Sequence, residues 1–179
     1  KQEVDDQTVM HAAQVVERCF TEKRGPADVM ARMPALRMES SAMRAQVSRI
    51  AAVVIASHRR LRFALQEERP RHPLERARAY VLVSLAESGH RLPAHARDLP
   101  TAEVIQQRLQ AMSEDDERFA IRHSIPDWLV PRFREAFASE ADAVLQSLAK
   151  PAPRTLRVNL LRLGSRDDLI ARLAGEGIE

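Results

Sequence analysis

The segment from Leu74 to Ser88 constrains this chain more than any other. Its heart, Tyr80-Val-Leu-Val-Ser-Leu85, is apolar around most of a helix circumference. Such a helix persists in water only when other elements surround it. No apolar run in the chain approaches membrane-spanning length, and no basic-then-apolar signal peptide is visible. The chain must therefore wrap this helix in others. Its punctuation agrees, because ten prolines against five glycines suit helices with firm stops better than a hairpin-rich β fold. Only 4% of residues are aromatic, so Leu, Val, Ile, Met and Ala have to fill the core.

The surrounding helices can be placed from caps and periodicity. Asp5 or Asp6 caps a first helix running to about Arg24, with Val9, Ala12, Ala13, Val16 and Phe20 as its buried stripe and Cys19 close by. Gly25-Pro26 ends it. A short helix from Ala27 to Met33 is stopped by Pro34, which leaves Leu36 and Met38 in a connector. Ser40 or Ser41 caps the longest helical stretch, reaching about Glu67, with Ser57-His-Arg-Arg60 as a point of interruption. Arg69-Pro-Arg-His-Pro73 breaks that stretch, and Gly89 ends the central helix. After a loop from His90 to Pro100, Thr101 caps a helix carrying Ile105 and Leu109. The acidic run Ser113–Glu117 opens one more, where negative charge complements the helix dipole. Six or seven helices over residues 5–122 and no convincing strand are expected.

The last third has a different texture. Ser124 with Asp127 three residues on is a capping-box pattern, and Pro126 stands where a helix can spare an N–H. Trp128, Leu129, Phe133 and Phe137 recur at helical spacing, which predicts an apolar stripe facing a core. A helix from Ser139 to Lys150 follows and is ended by Pro151 and Pro153. Thr155–Leu160 alternates polar and apolar residues as a half-buried strand would. Beyond Gly164, Ser165 opens a helix that stops at Gly175 and Gly177.

The ordered set Ser124-Ile-Pro-Asp-Trp-Leu129, Pro151-Ala-Pro153, Leu156-Arg-Val-Asn159 and a helix running into Gly177-Ile178 resembles the opening segment of the Sun-type RNA cytosine-5 methyltransferases. These are the bacterial RsmB/Fmu enzymes and their eukaryotic Nop/NSUN relatives. The resemblance implies a mainly α chain: a NusB-like helical bundle over residues 1–122, then a small, incomplete α/β segment over 123–179 that begins the pre-catalytic RNA-binding subdomain. It implies RNA, ribosomal in origin, as one partner and a downstream methyltransferase domain as another. S-adenosylmethionine is implied for that downstream domain and no cofactor for this chain. A start without Met and an end at Glu179 make a fragment the expectation.

Catalysis is tested against the residues. The resembled enzymes use a glycine-rich turn after a strand to admit the methyl donor, and two cysteines, one of which adds to the cytosine ring. This chain has no such loop, and its single Cys19 sits in the first helix, consistent with a core thiol and a reducing cytoplasm. No catalytic residue is carried over. The six histidines have no metal-ligand spacing. What remains is cationic. Lys occurs only at positions 1, 23 and 150, so nearly all positive charge is arginine, whose planar fork suits phosphate. Arginines crowd the centre of the chain, and Arg59, Arg60, Arg62, Arg69 and Arg71 are candidate RNA contacts. Arg157 and Asn159, sharing one strand face, are a separate candidate pair. Two other functions fit the same composition: a free-standing NusB-like module binding RNA and protein, as antitermination factors do, and a helical domain that packs only against protein.

Overall fold

Side-chain caps decide where several of the helices begin. In the computed structural model, which describes residues 4–66, 72–93, 96, 98–150, 157–159, 162 and 164–175, helix α1 (Asp6–Glu22) starts where Asp5 accepts the Thr8 N–H at 2.8 Å. The Thr8 hydroxyl donates to the other Asp5 oxygen at 2.7 Å, and these bonds hold the Asp5 carboxyl below its usual range. Ser40 caps α4 (Ser41–Ala56) through the Met43 N–H, and Thr101 caps α7 (Ala102–Gln110) through that of Val104. Asp115 does the same for α8 (Asp116–His123), as Ser165 does for α11 (Arg166–Gly175). Prolines open three others. Pro26 begins α2 (Pro26–Ala31), Pro34 begins α3 (Pro34–Arg37) and Pro73 begins α6 (Pro73–Glu87).

Pro34 therefore starts a helical turn as well as ending one. That corrects the expectation of a connector: Leu36 is 1% exposed inside α3, whereas Met38 is 89% exposed beyond it. The long stretch after Ser40 does break at Ser57, giving α4 and α5 (His58–Leu65). Eight helices thus precede Ser124 among the described residues, more than the six or seven expected, because α3 is a single turn and α5 is separate. The chain continues with a 3-10 turn at Asp127–Leu129, α9 (Val130–Phe137), a second 3-10 turn at Ala138–Glu140, and α10 (Ala141–Leu148). The fold is mainly α, with no strand among the described residues.

The chain divides into two compact units, Lys1–Asp142 and Ala143–Glu179. In the first, α6 is the central helix: Ala77, Ala79, Tyr80, Val81, Leu82, Val83, Ser84 and Leu85 are all buried in it. Helix α1 packs against both α6 and α4, contributing Val9, Ala12, Ala13, Val15 and Val16. Each fully buried Val or Leu of this kind contributes about 1.5–3 kcal/mol relative to an exposed one. Phe20, expected in the buried stripe, is instead 41% exposed near the end of α1. Trp128 and Phe137 also depart from the expected core stripe, at 65% and 40% exposed. The stripe was read from one continuous helix, whereas the 3-10 turn ahead of α9 changes the angular step between Trp128 and Phe133.

In the second unit α11 is helical with no buried residue. The Thr155–Leu160 strand lies mostly outside the described residues. Its described part, Arg157–Asn159, has no regular secondary structure, with Arg157 and Asn159 exposed and Val158 half-buried.

Candidate nucleic-acid interface

Helix α5 carries three of the candidate arginines, and its own flanks do not hold it in place. Ser57, the residue before it, makes no side-chain cap. The missing acceptor comes from 65 residues downstream: Ser124 Oγ accepts the Arg59 N–H at 3.0 Å and the Arg60 N–H at 3.4 Å. Ser124 can reach because it ends α8 in the left-handed region, at φ 55°. At the other end of α5, Arg108 of α7 donates to the Ala64 carbonyl at 2.5 Å, satisfying a last-turn acceptor.

The Arg59 side chain completes the joint. It donates to the Ile125 carbonyl at 2.9 Å and to Asp127 Oδ1 at 2.6 Å. Ser124 and Asp127 are thus not a local capping box. Pro126 is extended (φ −64°, ψ 148°) and disfavours helical backbone at Ile125, so no helix runs from Ser124 through Asp127. Both side chains turn instead to α5.

The candidates separate accordingly. Arg59 is committed to Ile125 and Asp127. Arg60 Nη2 lies 2.7 Å from Glu87 Oε1, two charges meeting outside hydrogen-bonding geometry. Arg62 is exposed and makes no ion pair among the described residues. Arg69 and Arg71 lie outside the described residues. Arg157 and Asn159 are exposed in the second unit, where the Asn159 carbonyl accepts the Arg162 N–H at 2.9 Å.

Two hollows meet at Arg62. One, of about 560 Å³, is lined by Arg59, Arg62, Phe63 and Gln66 of this region together with Glu117 and Asp127, so cations and carboxylates face each other across it. The other, of about 420 Å³, is lined by Phe20, His58, Arg62, Arg76 and Tyr80. Its rings form a chain: Phe20 to His58 at 4.4 Å between centroids, and His58 to Tyr80 at 5.2 Å edge-on. Phe20 and Tyr80 were read from sequence as core residues. The signal that could have singled out Phe20 was its place in the last turn of α1, two residues before the helix ends.

Other chemistry has little foothold. Cys19 is buried, and burial followed by the nearby Glu22 charge pushes its thiol up, away from the reactive thiolate. Among the described residues no group of three or more His, Cys, Asp or Glu side chains could hold a metal, and no helix is long and apolar enough to cross a membrane. Gly89 (φ 78°) ends α6 and Gly175 ends α11. Neither of these two glycines follows a strand. His123 meets Asp142 Oδ1 at 2.8 Å, and Arg122 meets the same oxygen at 3.2 Å, a tie between α8 and α10.

Comparison with known proteins bears on the stretch that Arg59 grips. Residues 125–179 match the family described as "Methyltr_RsmF/B-like, ferredoxin-like domain". The last third of the chain is thus similar to RsmF/B-like methyltransferases over these residues. Two curated relatives, each named "Ribosomal RNA small subunit methyltransferase B", come from Xylella fastidiosa strains Temecula1 and 9a5c. Each is 43% identical over 54 residues, 30% of this chain. The aligned part covers only 12% and 13% of those relatives. No solved structure matches the chain significantly. The joint formed by Ser124 and Arg59 thus stands at the start of the matched residues, which begin at 125.

Proposed function

We propose that this chain binds and orients ribosomal RNA for an S-adenosylmethionine-dependent cytosine-5 methyltransferase, with a NusB-like helical domain over residues 1–122 leading into the pre-catalytic RNA-binding subdomain over 123–179. The observation that carries this reading is the match of residues 125–179 to the RsmF/B-like family. The grip of Arg59 on Ile125 and Asp127 supports it, because it holds the start of that segment against α5, which bears the uncommitted Arg62. Bond-making belongs to other residues than these, since covalent attack on cytosine needs a thiolate and Cys19 is buried with its thiol pushed up. The contribution of this chain is positioning, which by itself can lower a barrier by several kcal/mol, up to roughly 7–11 in ideal cases.

Within this reading the arginines divide labour. Arg59 and Arg60 fix α5, while Arg62 meets phosphate, with Arg69, Arg71, Arg157 and Asn159 as further contacts. The test is binding of a small-subunit ribosomal RNA fragment across a salt series. Native protein binds at low salt and loses affinity steeply as salt rises, through counterion release. Arg62→Ala weakens binding and reduces the logarithmic salt slope by about 1. No binding at low salt overturns the proposal.

A further inference from the structure

Resting on that RNA-binding reading, the geometry points to a specific site: we propose that the recess between α1, α5 and α6 takes one unpaired nucleotide of single-stranded RNA. The base stacks on the Phe20–His58 ring pair, and the phosphate meets Arg62.

Four observations converge on this recess. First, Phe20 is 41% exposed on a helix whose valines are all buried, so a hydrophobic ring stands in water beside two arginines. Every base has an apolar π-face, and stacking on aromatics is the sequence-tolerant way proteins hold single strands. Second, the rings run in series from Phe20 through His58 to Tyr80, with Tyr80 buried in the central helix, so the platform is anchored in the core. Third, the volume of about 420 Å³ lies within the roughly 300–1,000 Å³ that small ligands occupy.

Fourth, charge distinguishes this recess from its neighbour. The 560 Å³ hollow carries Glu117 and Asp127 against its arginines, and Arg59 is already committed to Asp127. Among the described residues, the recess at Phe20 is lined by Arg62 and Arg76 and by no carboxylate. An anionic ligand is repelled less there. A smaller hollow of about 240 Å³ shares Phe20 and Arg76 and carries Glu17, which disfavours phosphate on that side. The strand is therefore expected to leave the recess past Arg62, toward α5.

The test uses the whole chain and an adenylate hexamer with 2-aminopurine at one central position, a base whose fluorescence falls on stacking. Native protein is expected to quench the probe and to prefer the hexamer over a duplex of the same sequence. Phe20→Leu, which keeps an apolar side chain and removes the ring, weakens hexamer binding by roughly 10-fold and abolishes the quench, with helical circular dichroism unchanged. Arg62→Gln weakens binding while the residual complex still quenches. Unchanged affinity in Phe20→Leu, or equal binding of the duplex, overturns the proposal. So does Phe20-dependent binding of poly-glutamate, which makes the recess a peptide groove. If the ribosomal fragment binds with salt sensitivity but the hexamer is not quenched, this site fails while the RNA-binding role stands. If neither RNA binds, both fail.

Discussion

Ser124 spends its hydroxyl on a helix it does not belong to. Its oxygen accepts from both Arg59 and Arg60 at the start of α5, a helix with no cap of its own. Ser124→Ala should therefore lower unfolding stability by about 1 kcal/mol, the usual cost of losing an N-cap, whereas Ser57→Ala should stay within about 0.5. Urea denaturation of the two variants against native protein measures the difference. The sequence pattern misled here for a physical reason. Ser-x-x-Asp describes a local bond, but one hydroxyl oxygen serves one helix start, and its actual partner is far away in sequence. The corrective signal was the Ile125-Pro126 pair, which biases Ile125 away from helix and rules out a cap running forward from Ser124. For the same reason Arg59 looked like an open cation, when two of its bonds go to Ile125 and Asp127.

Helices whose caps come from the residue immediately before them were legible in advance, to within one residue for α1 (Asp5 or Asp6) and α4 (Ser40 or Ser41), and at Thr101 for α7 and Ser165 for α11. The break between α4 and α5 was legible too. Contacts between helices were not, and the tie of α8 to α10 is one that can be tested. Burial works against ionisation of Asp142, yet hydrogen bonds from His123 and Arg122 outweigh it and hold its carboxyl below the usual 3.8. As pH falls, the unfolded chain takes up this proton first. The stabilisation is complete above about 3.8 and fades as pH drops through the lower folded value. Asp142→Asn should be less stable than native protein at neutral pH, and the gap should narrow on acidification. Urea midpoints between pH 7 and 2 measure it, and a constant gap would assign the bond no ionic character.

At the scale of the whole molecule, the apolar run in α6 was enough to infer a mainly α chain wrapped around one helix, because only burial from all sides satisfies such a segment. Unevenness of burial sets where the structure opens. Amides of α1 and α6, in the buried core, should exchange with solvent only on global unfolding, while those of α11, with no buried residue, should exchange through local opening orders of magnitude faster. Hydrogen exchange followed by mass spectrometry reads both in one experiment. The borrowed cap of α5 has a consequence in time. A nascent chain emerges N-terminus first, and Ser124 follows Arg59 by 65 residues. At roughly 5–20 residues per second, α5 waits on the order of 3–13 s with its opening amides unsatisfied. Translation itself thus paces the helical body: the cap of α5 closes only once Ser124 has left the ribosome.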